Sequence, residues 1–463
     1  MRFTRREIIS LISICFGSFL IILDTNIVNI IIPVLKTQLD LTISQSSWVI
    51  NSYVLTFASL ILLFARLSKR IGAKNAFLTG ITIFMIGSLF CGLSSSYYEL
   101  IVSRIIQGIG AALFAPIATT ILSSTVIEPR KRTFAFAIWS GTSGTAFAFS
   151  PMVGGFLNEA FGWESIFFIN VPFTLLVIMT AVLAIKDIKK EKISMFIKEQ
   201  FMIFSFILTF VYFTHDYEIL YHFPILLSLG VLVLLLIGWN YSVKLKKNLT
   251  KVIQIQMFTK GNISSLINGF TYNFSIYGIM YLISLYFQED LTLSALETGI
   301  KFLPLTLSGM LISSFLSPIF VNKLGTTITQ KLCLSTIMMG SLLLIIYFSV
   351  SAVPFFIPIS FILLGFSGTI APVLMNSAFL ATPEMYQNEI SSLVNLVRQS
   401  GSILGVLIAS ILLNLFTKEM SILYFLILTI FFPVLAYYYL TLTTKFIVKK
   451  PKCHKVKTIK NSI

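Results

Sequence analysis

Asp24 is the one acidic residue that the sequence places deep inside an apolar stretch, Leu23-Asp24-Thr25-Asn26-Ile27-Val28-Asn29. The other seventeen Asp and Glu residues lie at the ends of apolar stretches or between them. A carboxylate in hydrocarbon is costly, so an ionisable group at that depth marks an ion or substrate pathway by default. Two cations share the setting: Arg104, in Ser103-Arg104-Ile105-Ile106-Gln107-Gly108, and Arg398, in Asn395-Leu396-Val397-Arg398-Gln399. A buried carboxyl holds its proton more tightly, and a neighbouring guanidinium loosens it, so such a pair suits reversible proton binding. The four cysteines (Cys15, Cys91, Cys333, Cys453) and three histidines (His215, His222, His454) have neither disulfide nor metal-ligand spacing. No nucleotide-binding motif is present, so no cofactor is expected.

The elements that must hold these residues are membrane helices. The 463 residues are 56% hydrophobic and 11% charged, against about 25% charged in a soluble domain. A net charge of +16 in a soluble protein would suggest nucleic acid. Here the charges sit in short loops, so topology explains them and no nucleic-acid partner is expected. A spanning helix needs about 20 mostly apolar residues. Fourteen windows qualify: about 8–32, 46–65, 76–95, 99–124, 134–157, 165–185, 200–214, 222–243, 262–287, 298–320, 331–351, 354–376, 390–414 and 420–443. With both termini cytoplasmic, 29 of the 34 Lys and Arg residues fall on the cytoplasmic side, as the positive-inside rule requires. The basic start of the chain precedes an apolar run without a small-residue cleavage site, so it reads as a retained first helix. The tail from Lys445 to Lys460 reads as an anchor to anionic lipid.

The two halves resemble each other at an offset near 255 residues. Arg70-Ile71-Gly72 matches Lys323-Leu324-Gly325, Ala115-Pro116 matches Ala371-Pro372, and Ser143-Gly144 matches Ser400-Gly401. This divides the chain into a six-helix bundle (1–188), two inserted helices (189–250) and a second six-helix bundle (251–463). Many transporters are built from such repeats, with the site at the repeat interface near the midplane.

Depth relates the two charges of the first half. Asp24 lies eight residues from the outer end of its window and Arg104 five from the outer end of its own, or about 12 and 8 Å at 1.5 Å per residue. They sit at similar depth and can pair. The plainer reading of Arg104 is a side chain snorkelling from a helix end.

At this point a resemblance is specific and covers the whole chain. Leu23-Asp24-Thr25-Asn26 through Pro33 resembles the first-span signature of the major facilitator superfamily's fourteen-helix drug:proton antiporter group, with Asn26 and Ile31 at its Thr and Ala positions. Arg104-Ile105-Ile106-Gln107-Gly108-Ile109-Gly110 is similar to its fourth-span motif. Ser150-Pro151-Met152-Val153-Gly154-Gly155 is similar to its fifth-span antiporter motif. Gly162-Trp163 through Asn170-Val171-Pro172 and Asn395 through Gly401 match further signatures. Ala65 through Lys74 resembles the loop after the second span, but Lys69 stands at its acidic position, so another acid such as Glu128 would have to complete a charge latch.

The resemblance implies an all-α polytopic membrane protein of fourteen transmembrane helices. It would export lipophilic or amphiphilic small molecules in exchange for protons, as a monomer in the inner membrane. Asp24 and Arg104 would couple protons. Asn26, Asn29, Gln107, Asn268, Asn273, Tyr277, Tyr281 and Asn376 would border the substrate cavity, although helix–helix hydrogen bonding explains any one of them equally. Arg70, Gly72, Lys74, Gly144, Pro151, Gly154, Gly155 and Arg398 would gate conformational change. For Arg70 and Lys74 the plainer reading is positive-inside anchoring. A lone membrane acid favours monocations or neutral amphiphiles over dications as cargo. Export of an endogenous metabolite such as a siderophore is the alternative.

Overall fold

The computed structural model describes residues 3–186, 259–350, 355–382 and 387–448, and these are almost entirely helical. The inserted pair, expected within 189–250, and the basic tail lie outside the described residues. The first half comprises α1 (Arg5–Gln38), α2 (Ile43–Ile71), α3 (Ala73–Leu93), α4 (Tyr97–Thr125), α5 (Pro129–Phe161), α6 (Ser165–Phe168) and α7 (Asn170–Ala184). The second comprises α8 (Lys260–Leu285), α9 (Ala295–Lys301), α10 (Leu303–Leu311), α11 (Ser317–Val350), α12 (Phe356–Phe366), α13 (Ile370–Leu380), α14 (Gln387–Leu415) and α15 (Lys418–Val448).

Local chemistry sets the ends. Thr4 with Glu7, Thr42 with Gln45 and Ser294 with Glu297 form reciprocal capping boxes at the starts of α1, α2 and α9, each satisfying backbone N–H groups that the helix leaves unpaired. Gly72 separates α2 from α3 at φ +98°, and Gly325 interrupts α11 at φ +82°. The internal repeat aligns these two glycines. Both occupy backbone space that a side chain disfavours, as does Gly162 at φ +84°.

Among the described residues, eight helical spans are long and apolar enough to cross a membrane, and the bent pair Ala295–Lys301 and Leu303–Leu316 makes a ninth. The tenth expected span is therefore a broken helix, bent by 43° between its parts. Pro304, in the first turn of α10 and without an N–H to offer the preceding turn, marks the break. α6 and α7 form one span with a turn at Ile169. Pro172 removes the N–H that would bond back across that turn.

The halves pack internally through α3 on α4, α1 on α5, and α8 on α14, and they meet chiefly through α2 with α14 and α5 with α9 and α10. Hydrogen bonds between the halves gather at the end that the sequence assigns to the outside. Ser284 donates to the Asn29 carbonyl at 3.0 Å and Gln288 to that of Ile30 at 2.7 Å. Tyr281 meets Ser46 at 3.2 Å, and Leu296 N–H donates to Glu159 at 3.0 Å. Toward the other end, a β-carbon at Gly141 of α5 would find nothing within 4 Å. Among the described residues, the halves are joined by hydrogen bonds at the outer end.

Candidate functional site

Asp24 and Arg104 meet inside the first half. Arg104 Nη1 lies 2.5 Å from Asp24 Oδ2, with both side chains fully buried. The depth match read from the sequence is realised as a direct ion pair rather than as snorkelling. A second Arg104 nitrogen, Nε, donates to the Val49 carbonyl of α2 at 3.1 Å. The Tyr53 ring lies 4.3 Å from the guanidinium carbon, a cation–π contact strengthened by the absence of water.

Two uncharged side chains complete the carboxylate's shell. Gln107, one turn along α4, donates to Asp24 Oδ1 at 3.1 Å and to Ser88 Oγ of α3 at 2.6 Å. Its own oxygen accepts from Arg104 Nη1 at 2.8 Å and from Cys91 Sγ at 3.3 Å. Asn170, the first residue of α7, donates to Asp24 Oδ1 at 3.0 Å and to Ser88 Oγ at 3.3 Å. Helix contact this tight depends on Gly87, whose β-carbon would sit 2.5 Å from the Gln107 nitrogen. Five helices thus converge on one carboxyl. The arrangement gives both carboxyl oxygens of Asp24 a donor and keeps the group out of hydrocarbon.

The cavity candidates divide. Gln107 belongs to the Asp24 cluster. Asn26 and Asn29 are buried, and each donates back to its own helix, to the carbonyls of Ile22 (2.6 Å) and Thr25 (3.4 Å). Asn268 donates to Gln330 at 2.8 Å and Asn273 to Ser402 at 2.9 Å, both buried between helices of the second half. Tyr281 is sealed in the outer contact with Ser46. Tyr277 is half-buried and Asn376 exposed, so these two are the candidates placed to meet a solute.

The gate candidates divide as well. Gly155 faces the backbone of α9 across the half-interface, where a β-carbon would lie 2.5 Å from the Ala295 carbonyl oxygen. Pro151 packs in turn against Gly299, and Gly154 against Ile27 of α1. Gly144 faces Met310 and Ser314 at 3.5 Å. Lys74 instead donates to the Val182 carbonyl at 2.8 Å and Arg6 to that of Ala184 at 2.8 Å. They satisfy the carbonyls and negative dipole end of α7, an anchoring role. Arg70 is exposed. Glu128 pairs with Lys131 of its own helix at 3.0 Å, so in this arrangement its partner is not the Arg70 loop. Arg398 is half-buried, its stem lying over Gly269.

Sequence reasoning missed two features. Asn170 carried a recognisable motif but no assigned chemistry. The outer ion-pair chain was not anticipated either: Lys36 to Glu289, and Lys418 to both Glu289 and Asp290, each at 2.8 Å. Burial works against the charge on Glu289, but the hydrogen bonds from Lys36 and Lys418 outweigh it and hold its carboxyl below the ordinary range.

Two helical halves closed at one end, with an ion pair sealed inside one of them, define a membrane transporter of the two-bundle class. The model of the Major Facilitator Superfamily matches residues 14–406, and the chain belongs to that superfamily. It is 27% identical over 431 residues to a methylenomycin A resistance protein of Bacillus subtilis (strain 168), covering 88% of this chain and 87% of that one. It is 37% identical over 172 residues to the multidrug export protein EmrB of Escherichia coli (strain K12), covering 37% of this chain and 33% of that one. In fold it resembles a POT family transporter crystallised with 5-aminolevulinic acid, at TM-score 0.69 and 15% identity over 96% of this chain and 97% of that one.

Proposed function

We propose that the protein exports lipophilic drugs or other amphiphilic small molecules across the cytoplasmic membrane in exchange for protons, by alternating access. The observation that carries the reading is the buried Asp24–Arg104 pair with its complete donor shell. The printed names of the relatives, resistance and export proteins, support the cargo class. Facing outward, Asp24 takes a proton and cargo leaves. Facing inward, it gives the proton to the cytoplasm and cargo enters. On this reading the closed outer end goes with the deprotonated stage of the cycle. The reading places both termini in the cytoplasm, the basic tail against anionic lipid, and a monomer as the working unit. It requires no resident cofactor.

The test is reconstitution of the wild type and Asp24→Asn in liposomes, with proton flux followed on adding lipophilic cations, neutral drugs and organic anions in turn. The wild type is expected to exchange protons for cations or neutral amphiphiles, and the variant to lose that exchange. Normal exchange by Asp24→Asn would end the coupling role. Exchange confined to anions would replace the cargo class.

A further inference from the structure

Asn170 is completely buried, and while its Nδ2 donates to Asp24 and Ser88, its Oδ1 has no hydrogen-bond partner. An unpaired buried amide oxygen beside a carboxyl calls for a reason.

The donor shell of Asp24 serves one protonation state only. Ionised, the carboxylate accepts from Arg104 Nη1, Gln107 Nε2 and Asn170 Nδ2. Neutral, it becomes a donor and needs an acceptor. Arg104 has none to offer. Gln107 Oε1 is already engaged by Arg104 and Cys91, and Ser88 Oγ by Gln107 and Asn170. The titratable groups around the carboxyl are Arg104 on α4, Tyr53 on α2 and Cys91 on α3, with Tyr277 of α8 beyond Tyr53 across the interface. Two acceptors near the carboxyl are unoccupied, Asn170 Oδ1 and the Tyr53 hydroxyl, and of these residues only Asn170 already bonds Asp24.

We infer that Asn170 is a positioning residue for both states of Asp24: its nitrogen donates to the ionised carboxylate, and a half-turn of its amide lets its oxygen accept from the neutral acid. The half-turn exchanges oxygen and nitrogen without changing the side chain's shape. Either orientation leaves one end of the amide unpaired, so neither is strongly preferred until Asp24 chooses. The amide itself gains and loses no proton; the proton passes between Asp24 and water on whichever side is open. This inference rests on the proton-exchange reading above.

The experiment is pH-difference infrared spectroscopy of purified protein, needing no cargo. The carbonyl band of protonated Asp24 is assigned by its absence in Asp24→Asn. In Asn170→Leu each state of Asp24 loses one partner, so the diagnostic is the band and not the midpoint: the neutral acid no longer donates to an amide oxygen, and its carbonyl band is expected to move to higher frequency. A band at the wild-type frequency in Asn170→Leu would overturn the inference. Wild type labelled with ¹³C at the asparagine side-chain carbonyl supplies a variant-free test. One amide band must shift in the same pH step as Asp24, and its failure to move is equally fatal. If no Asp24 band titrates at all, the proton-exchange reading itself fails. If the band titrates and ignores Asn170, only this inference does.

Discussion

Gly155 of α5 faces the carbonyl oxygen of Ala295 so closely that a β-carbon would stand 2.5 Å from it. That distance excludes any larger residue while the outer end is shut. Gly155→Ala is expected to hold the halves apart and to lower transport about five- to hundredfold, since a factor of ten corresponds to about 1.4 kcal/mol and overpacking costs about 1–3 kcal/mol. Spin labels at exposed Phe161 and Leu291 would report the outer gap. An unchanged distance distribution with normal transport would show that the glycine is not a closing contact.

Removing one member of a buried ion pair leaves the other uncompensated, at about 3–5 kcal/mol. Arg104→Ala should therefore unfold at lower temperature in detergent than the wild type. Adding Asp24→Asn should recover most of that stability while leaving exchange absent. Equal unfolding temperatures for the single and double variants would mean that Asp24 carries no charge when Arg104 is gone.

The outer ion pairs predict a pH response of defined sign. The Glu289 carboxyl is held below its ordinary value of 4.5 by Lys36 and Lys418. Such a group stabilises the closed outer end above that value and ceases to do so as pH falls through its folded value. Closure should be insensitive to this group from about pH 5 to 8 and weaken only below that range. Glu289→Gln should remove the acid limb and raise the open fraction several-fold at neutral pH, since partly exposed pairs contribute about 0.2–1 kcal/mol each. The same spin-label pair measures it, and an acid limb that survives the substitution would assign the response elsewhere.

Asn268 and Tyr277 separate packing from recognition. Asn268→Leu removes a buried bond to Gln330 and should cost about 1 kcal/mol of stability with the cargo profile unchanged. Tyr277→Ala should alter the relative rates for different cargoes with little effect on unfolding temperature. An efflux panel run beside thermal unfolding checks both, and a changed profile in Asn268→Leu would return that residue to the cavity.

Much of this arrangement was legible in the sequence because rise per residue converts position into depth. That conversion put Asp24 and Arg104 at one level, and a direct pair followed. Azimuth was not legible. Apolar windows are hydrophobic on nearly every side, so nothing in them told that Asn268 and Asn273 face neighbouring helices or that Tyr281 faces Ser46. Asn170 was hidden for a related reason. Its reach to Asp24 depends on how the turn at Ile169 and the missing donor of Pro172 set the start of α7, which hydropathy does not record. The broken helix at Lys301–Leu303 announced itself only through Pro304. The Lys74 contact with Val182 shows how a loop cation read as a gate can instead serve a neighbouring helix end.

A single membrane carboxyl also sets a thermodynamic ceiling. If the protein exchanges protons as proposed, one proton per cycle would supply about 2.3 kcal/mol for each 100 mV of membrane potential, enough to sustain roughly a fiftyfold gradient of a neutral cargo. A monovalent cation exchanged one for one moves no net charge. The voltage then does no work, and the gradient is limited to about tenfold per unit of pH difference. Under the proposed one-proton exchange, the solitude of Asp24 would make uncharged molecules the cargo concentrated furthest when voltage dominates the proton-motive force.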